Sequence, residues 1–322
     1  MKHKTIIVTG GCGFLGSNIV KKLNGLGLKN IIIVDNYDEQ KFKNLKSLSF
    51  IDYLSYKQGT PFLKNSFNKY DISAIIHIGA NADVLIKDAD LMLETNYEHS
   101  KFYLEIAQEK NIPLIYASSS AIYGNAPQKG ENKENQQDPH NIYAWSKWLF
   151  DKHVDANLAS YQNRVIGLRF FNIFGMGEFH KGKNASLPLR FFSFIRENGF
   201  IDIFNRQIQR DYVWVEDVAD VIIEILRDDT VANGIYDLGG NNPISTQMIA
   251  DIVATAFVEK GIKTTSDELI KTIPMPAELV DCFQFYTKSS NLLPLISSRT
   301  VDNEIKIRNY INQLLALTYD KS

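Results

Sequence analysis

The chain has 322 residues, 44% hydrophobic and 22% charged, with a formal net charge of −2. That composition describes a globular protein long enough for two lobes, and the apolar content together with three Trp, 15 Tyr and 19 Phe excludes disorder. The near-neutral balance argues against a nucleic-acid binder, and no apolar run approaches the roughly eighteen residues that a membrane span needs. Two cysteines, Cys12 and Cys282, make neither a disulfide framework nor a metal cluster. Thr5–Val8 is too short for the core of a signal peptide and runs straight into glycines. The expectation is therefore a reduced, cytoplasmic protein with no metal and neither nucleic acid nor membrane as partner.

Apolar runs of strand length occur at Thr5–Val8, Asn30–Val34, Ala74–Ile78, Pro113–Ala117 and Val165–Phe170. They are continuous rather than alternating, which predicts strands covered on both faces. Helix-length periodic stretches lie between them, at Phe14–Asn24, Asp88–Glu109 and Tyr143–Ala159. This alternation predicts right-handed βαβ units and an α/β fold, a Rossmann-like doubly wound parallel sheet. Beyond about Asn172 the order weakens, as Pro188, Pro243, Pro274, Pro276 and Pro294 interrupt shorter elements. A smaller, irregular C-terminal lobe for substrate is expected there. Val215–Arg227 as a helix and Gly234–Leu238 as a strand are expected to return to the first lobe. The predicted division is 1–171 plus about 211–240 for a dinucleotide, and 172–210 plus about 241–322 for substrate.

The first strand runs into Thr9-Gly10-Gly11-Cys12-Gly13-Phe14-Leu15-Gly16, and an amphipathic helix follows. Gly10, Gly13 and Gly16 form Gly-x-x-Gly-x-x-Gly, a close relative of the dinucleotide fingerprint. Such glycines permit a tight turn, close approach of backbone to pyrophosphate and helix-on-strand packing. The helix start adds N–H donors and a positive dipole. Asp35 closes the second strand about twenty residues on, where an acid bonds ribose hydroxyls. A lone Asp favours NAD, yet Asn36, Lys41 and Lys43 follow. Residues 1–70 hold eleven lysines against four acids. A lysine there can neutralise a 2′-phosphate, so NADP and NAD both stand, and a plain solvated face also accounts for the lysines.

Tyr143-Ala-Trp-Ser-Lys147 puts two groups at i and i+4 on one helix face. A tyrosine is a poor base at neutral pH unless neighbouring cations favour its phenolate, and Lys147 with a nicotinamide cation nearby is the expected combination. The fifth apolar segment ends in Ser118-Ser119-Ser120, at the carboxyl end of a parallel strand, where open α/β sheets place ligands. Ser119 is the serine expected to bond the reacting oxygen and Tyr143. Ser118 and Ser120 read as satisfying the strand end.

Together these residues resemble the extended short-chain dehydrogenase/reductase family, over essentially the whole chain. Leu168-Arg-Phe-Phe-Asn-Ile-Phe-Gly175 and Arg210-Asp-Tyr-Val-Trp-Val-Glu-Asp-Val-Ala219 are similar to further segments of that family. The resemblance implies a nucleotide-sugar substrate contacted by Ser119, Asn172, Lys183, Arg190, Phe204, Arg210 and Phe283. It implies a cofactor held by Gly10, Gly11, Gly13, Phe14, Leu15, Gly16, Asp35, Asn36, Lys41, Ile78, Gly79, Ala80, Asn96, Lys147, Ile173 and Lys181. A planar guanidinium such as that of Arg210 also suits a pyrophosphate on chemical grounds.

Three segments resemble one branch, the ADP-L-glycero-D-manno-heptose 6-epimerases: Val34–Leu45, Glu178-Phe-His-Lys-Gly-Lys-Asn-Ala-Ser186, and Ile273–Leu279 with Phe283–Thr287. The branch implies NADP-dependent inversion of C6 in ADP-D-glycero-D-manno-heptose by transient oxidation and re-reduction. That step belongs to synthesis of the lipopolysaccharide core heptose precursor. It also implies a homo-oligomer, a pentamer on the branch's pattern. Inversion needs protons handled from two directions, and by resemblance Lys181 is the second group opposite Tyr143. Lys183, Phe283 and Arg190 stand where a serine, a tyrosine and a histidine are expected. Tyr56 replaces a cofactor-touching lysine, and Gly79-Ala-Asn-Ala-Asp83 lacks a serine/threonine cluster. A UDP-, GDP- or CDP-sugar 4-epimerase or 4,6-dehydratase is the alternative, although Ser119-Ser120-Ala121 offers no acid pair for dehydration. A non-catalytic NADP-binding sensor is a third reading, against which both Tyr143 and Lys147 are present.

Overall fold

The computed structural model describes residues 4–84, 86–124, 137–263, 265, 267–280, 284–289, 291 and 302–320. In chain order it runs β1 (Thr5–Thr9), α1 (Phe14–Gly25), β2 (Ile31–Asp35), α2 (Glu39–Phe42), β3 (Asp52–Ser55), α3 (Thr60–Phe67) and β4 (Ile72–His77). Then follow α4 (Ala89–Leu93), a π-helical stretch at Glu94–Glu98, α5 (His99–Glu109), β5 (Leu114–Ser119), α6 (Ile142–Asn157), β6 (Val165–Phe170) and β7 (Asn172–Phe174). The remainder is α7 (Leu187–Asn198), β8 (Ile201–Phe204), β9 (Gln209–Trp214), α8 (Val215–Arg227), β10 (Gly234–Leu238), β11 (Pro243–Ser245), α9 (Thr246–Glu259), β12 (Ile270–Ile273), α10 (Ala277–Val280) and α11 (Asn303–Tyr319).

The chain divides into two compact units, one of residues 1–122, 139–170 and 215–238, the other of 123–138, 171–214 and 239–322. In the first unit the described residues form a parallel seven-stranded sheet in the order β10-β6-β5-β4-β1-β2-β3, the expected Rossmann-like doubly wound class. The order reverses between β1 and β4, so the crevice of such a sheet opens at their carboxyl ends. Strands β1 and β2 are buried at every residue, as continuous apolar runs require when helices cover both faces. β3, Asp-Tyr-Leu-Ser, lies at the sheet edge and buries only Leu54. Helix α8 turns Val215, Val218, Ala219, Ile222 and Ile225 inward at helical spacing and starts on Glu216 and Asp217. Its polar side meets α1 through Lys22 Nζ and Asp220 Oδ1, 2.6 Å apart.

The second unit has a three-stranded sheet, β11-β9-β7, and a pair, β12-β8. Its core packs Phe174, Tyr212 and Tyr310 with Phe192, Phe257 and the apolar face of α11, Ile307, Ile311 and Leu314. Pro188 starts a helix rather than interrupting one, since it occupies the first turn of α7, where its missing N–H costs nothing. No helix among the described residues is long and apolar enough to cross a membrane.

Arg164 closes the carboxyl end of α8. Its guanidinium donates to the Ile225 and Asp228 carbonyls at 3.0 and 2.6 Å. A cation there satisfies orphan carbonyls and meets the negative end of the helix. Arg164→Met should therefore lower unfolding stability by about 2 kcal/mol, the scale of charge-assisted hydrogen bonds. A urea titration with an unchanged slope and midpoint would show that the cap contributes nothing.

Candidate functional site

In the first unit, β1 ends at Thr9 and the chain turns through Gly10 with φ of +66°, a region that favours glycine. A Cβ on Gly10 would stand 2.8 Å from the Gly79 backbone, and one on Gly16 would collide with the Gly10 carbonyl oxygen. Gly11 lies against Ile33, where a Cβ would be 2.8 Å from Cγ2. Gly13 is the N-cap of α1, with no side-chain cap and no acid in the first turn, so no side chain closes the positive helix end. Phe14 and Leu15 are buried beneath that turn.

Asp35 braces the turn from β2. Its Oδ2 accepts from the Cys12 amide at 2.9 Å and its Oδ1 from the Asn36 amide at 2.7 Å. Lys41 Nζ lies 3.6 Å from Asp35 Oδ1, whereas Lys43 turns to Gln40. Burial and the Asp35 carboxylate push the Cys12 thiol up to about 12, so it stays protonated and inert. The Asn36 amide donates to Tyr56 Oη at 2.6 Å, while its Oδ1 is buried without a partner. A nicotinamide dinucleotide fits these features: a side-chain-free backbone cradle, an open helix start, and an acid and an orphaned polar atom at the end of β2.

After β4 comes Ile78-Gly79-Ala80, half-buried. The Gly79 amide donates to Thr9 Oγ1 at 2.8 Å, and Thr9 Oγ1 lies 2.8 Å from His77 Nδ1. On the other ring edge His77 Nε2 is 2.9 Å from Ser100 Oγ, which donates to the Asn96 carbonyl. Ser100 spends its proton on Asn96, so His77 carries hydrogen on Nε2 and accepts at Nδ1 from Thr9. Burial drives the His77 pKa far down, which keeps the ring neutral, as this chain of bonds requires. Asn96 is fully buried in the π-helical stretch and bonds Asn81 at both amide and carbonyl as well as Ser146 Oγ on α6. The loop after β4 is thereby tied to the helix that carries Tyr143.

Ser119, Tyr143 and Lys147 come together as expected. The Tyr143 hydroxyl is hydrogen-bonded to Ser119. Lys147 Nζ donates to the Ala117 carbonyl at 2.9 Å and is 3% exposed. Burial lowers the Lys147 ammonium to about 8. The expected lowering of Tyr143 joins Lys147 to a nicotinamide cation, and these side chains alone do not produce it. Burial raises the Tyr143 hydroxyl above its ordinary 10, with only the Ser119 bond acting the other way. By themselves the residues of this chain keep Tyr143 a phenol.

In the second unit, Asn172 donates to the Asp211 carbonyl at 2.8 Å, and Ile173 pairs with Val213. Lys181 and the exposed Lys183 lie on the turn Phe179–Asn184, with Gly182 at φ of +52°. Glu178, fully buried, anchors this turn by accepting from Ser186 N at 2.7 Å, Ser186 Oγ at 2.6 Å and Tyr310 Oη at 3.1 Å. Burial holds the Lys181 ammonium below its ordinary value, partly offset by Glu178. Arg210 donates twice to the Gln284 carbonyl, at 3.1 and 2.9 Å. Its charge is opposed by burial and by Arg190, so two guanidinium groups share one neighbourhood beside Tyr212. Phe204 ends β8, half-buried. Phe283 lies outside the described residues.

Sequence reasoning missed three buried acids: Asp151, Glu178 and Asp211. Asp151 had a signal, being one helical turn beyond Lys147 as Lys147 is beyond Tyr143. Glu178 and Asp211 had none, because no helical or strand spacing links Glu178 to Ser186 and Tyr310, or Asp211 to Ser289. Among the described residues no cluster of His, Cys, Asp and Glu suits a metal ion.

The folded chain releases the Lys147 proton near pH 8, whereas the unfolded chain keeps it to about 10.5. In that interval the unfolded state binds more protons, so folded stability should rise with pH. Lys147→Met should remove this rise when denaturation midpoints at about pH 7.5 and about pH 10 are compared. Parallel responses in both proteins would show that Lys147 does not titrate there.

Known proteins resemble this chain over nearly its whole length. The chain is similar to the ADP-L-glycero-D-manno-heptose-6-epimerase of Helicobacter pylori, with 25% identity over 98% of this chain and 97% of the other and a TM-score of 0.80. A UDP-N-acetylglucosamine 4-epimerase from Methanobrevibacter ruminantium, solved with UDP-N-acetylmuramic acid, aligns over 99% and 100% at 21% identity and a TM-score of 0.82. The UDP-glucose 4-epimerase of Thermus thermophilus, in complex with NAD, aligns over 96% and 98% at 23% and 0.73. These last two share the fold. A family model covers residues 6–239, from β1 through the glycine turn and the Tyr143–Lys147 helix to the end of β10. With that match across most of its length, the chain belongs to the NAD dependent epimerase/dehydratase family.

Proposed function

We propose that this protein inverts C6 of ADP-D-glycero-D-manno-heptose to give ADP-L-glycero-D-manno-heptose, using NADP, with NAD as the alternative cofactor. The observation that carries this reading is the Glu178-anchored turn with His180-Lys181-Gly182, which offers a burial-depressed lysine as a proton carrier in addition to Tyr143. The similarity to the Helicobacter pylori enzyme over nearly the whole chain supports it. Gly10, Gly11, Gly13, Phe14, Leu15, Gly16, Asp35, Asn36, Lys41, Ile78, Gly79, Ala80, Asn96, Lys147, Ile173 and Lys181 are assigned to the cofactor. When bound, the nicotinamide supplies a hydride acceptor and donor for the C6 carbon. The remaining work belongs to the chain. Tyr143, as the phenolate that Lys147 and the positive charge of a bound nicotinamide would together favour, takes the proton of the C6 hydroxyl as it is oxidised, Ser119 bonds that oxygen, and Lys147 holds a positive charge behind Tyr143. Lys181 serves the carbonyl oxygen in its other orientation, because one fixed tyrosine reaches only one. Arg210 and Arg190 suit the two phosphates, with Asn172, Lys183, Phe204 and Phe283 assigned to the rest of the substrate. The reading includes a homo-oligomer, a pentamer.

Lys183 and Arg190, which depart from the branch's pattern, keep a second reading open: another nucleotide-sugar 4-epimerase or dehydratase of the same family. Purified protein mixed with ADP-D-glycero-D-manno-heptose and NADP should yield both C6 epimers. A substrate left unchanged, with a UDP-sugar turned over instead, decides for the second reading. Tyr143→Phe should slow epimerisation at least about a hundredfold while keeping cofactor binding. Lys181→Met should bind substrate yet epimerise slowly, and a wild-type rate would remove Lys181 from the chemistry. Lys41→Glu should weaken NADP more than NAD, since only NADP carries a 2′-phosphate. Equal losses in a titration of both would exclude that role.

A further inference from the structure

Asp151 is a charged group in the core of the first unit, 2% exposed, that the proposed chemistry does not use. It sits one turn after Lys147 on α6, on the face that begins with Tyr143. Its carboxylate is fully engaged. Oδ1 accepts from Tyr116 Oη at 3.0 Å, and Oδ2 accepts from Ser118 Oγ and Arg169 Nε, both at 2.9 Å. These donors come from β5 and β6, where Ser118 and Arg169 stand opposite each other and Gly167, opposite Tyr116, leaves room for its ring. Ser118 lies between Ala117, whose carbonyl holds Lys147, and Ser119, which bonds Tyr143. One acid thus touches both sides of the Ser119–Tyr143–Lys147 group through the strand and through the helix.

A lysine as buried as Lys147 tends to shed its proton, and Asp151 acts against that tendency. Arg169 in turn offsets part of the Asp151 charge. We propose that Asp151, balanced by Arg169, is the positioning residue that keeps Lys147 charged and seated on the Ala117 carbonyl. This rests on the proposed role of Lys147 beside Tyr143. Other titratable groups surround the helix: His77 on β4, held neutral, Asp237 on β10, and Asp90, Glu94, Glu98 and His99 on the segment from α4 to α5. They are common to every variant below.

The test is a pH titration of the Lys147 ε-carbon in ¹³C-lysine-labelled full-length protein, the signal assigned by its loss in Lys147→Met. No sugar is present, so the outcome is independent of the substrate. Asp151→Asn keeps one acceptor oxygen, for Ser118 and Arg169, and offers its amide N–H to Tyr116 Oη, which can accept; it removes the charge, and should lower the Lys147 midpoint by about one pH unit, the scale of a close opposite charge. Arg169→Gln removes the counterweight and should raise the midpoint. Asp151→Glu should restore the wild-type value. Opposite movements in the two halves of one ion pair are not produced by loosened packing. Midpoints that stay put, or that move together, overturn the proposal. If Asp151→Asn does not fold, the direction of the Arg169→Gln shift and the Asp151→Glu value decide. A high-pH limb of epimerisation that follows the Lys147 midpoint ties the device to catalysis. Midpoints that shift as expected in a protein without epimerase activity leave Asp151 in place and refute the function instead.

Discussion

Two stretches of backbone pass at van der Waals distance where β1 and β4 end, and the carboxyl edge of the sheet is arranged around that approach. Gly10 and Gly79 meet with no room for a Cβ on either, and Gly16 brings α1 down onto the Gly10 carbonyl. Side chains that elsewhere would fill such a place are absent, and the helix that starts there has no side-chain cap. The approach is held from behind by polar contacts in fixed directions. Thr9, bonded to the Gly79 amide and to His77, links the two strand ends, and His77 passes the linkage to Ser100 and the π-helical stretch. Thr9 and Ser100 each have a single proton to donate and neutral His77 one donor and one acceptor nitrogen, so loss of any of the three would orphan a buried neighbour.

Buried carboxylates do comparable work away from the sheet edge. Glu178 and Asp211 are both fully buried, and each gathers several donors: nearby Ser186 and distant Tyr310 for Glu178, and Gly240, Asn241 and Ser289 from later segments for Asp211. An isolated charge in such places would be costly, and several aligned donors offset that cost. The gain is directional. An apolar contact would bury the loop at 175–186 equally well in several poses, whereas Glu178 specifies the positions of Ser186 and Tyr310 together.

The sheet was legible from sequence because its strands are covered on both faces, so Thr5–Val8, Asn30–Val34, Ala74–Ile78, Pro113–Ala117 and Val165–Phe170 stand out as unbroken apolar runs. β3 was not legible. An edge strand that buries one residue of four has no apolar run to show. The stretch Asp88–Glu109 reads as one helix, and its interruption at Glu94–Glu98 leaves no mark in periodicity because Asn96 is satisfied by tertiary partners. In the second unit the strands are three to six residues long, and β11 begins with a proline, so local pattern is weak. Among the candidate site residues, the glycine turn and the Tyr143–Lys147 pair are local motifs and were visible as such. Asp35 was visible at its distance from the glycine turn and Asp151 by its place one turn beyond Lys147, whereas the contacts they make, to Cys12 and to Tyr116, Ser118 and Arg169, are tertiary and leave no local pattern.

The first unit is assembled from three separate stretches of chain, the last of which, 215–238, follows 44 residues that belong to the other unit. A ribosome makes the chain from its N-terminus, so β1 to β6 emerge before the final sheet member exists. Until β10 arrives, β6 is an edge strand of Val-Ile-Gly-Leu-Arg-Phe with unpaired amides and carbonyls, and the face of α1 that meets α8 is bare. Such an edge templates pairing with other chains. The edge of β6 thus stays unpaired for as long as the chain takes to supply residues 171–238. Pauses in translation within that interval would lengthen the exposure, whereas pauses after it would not.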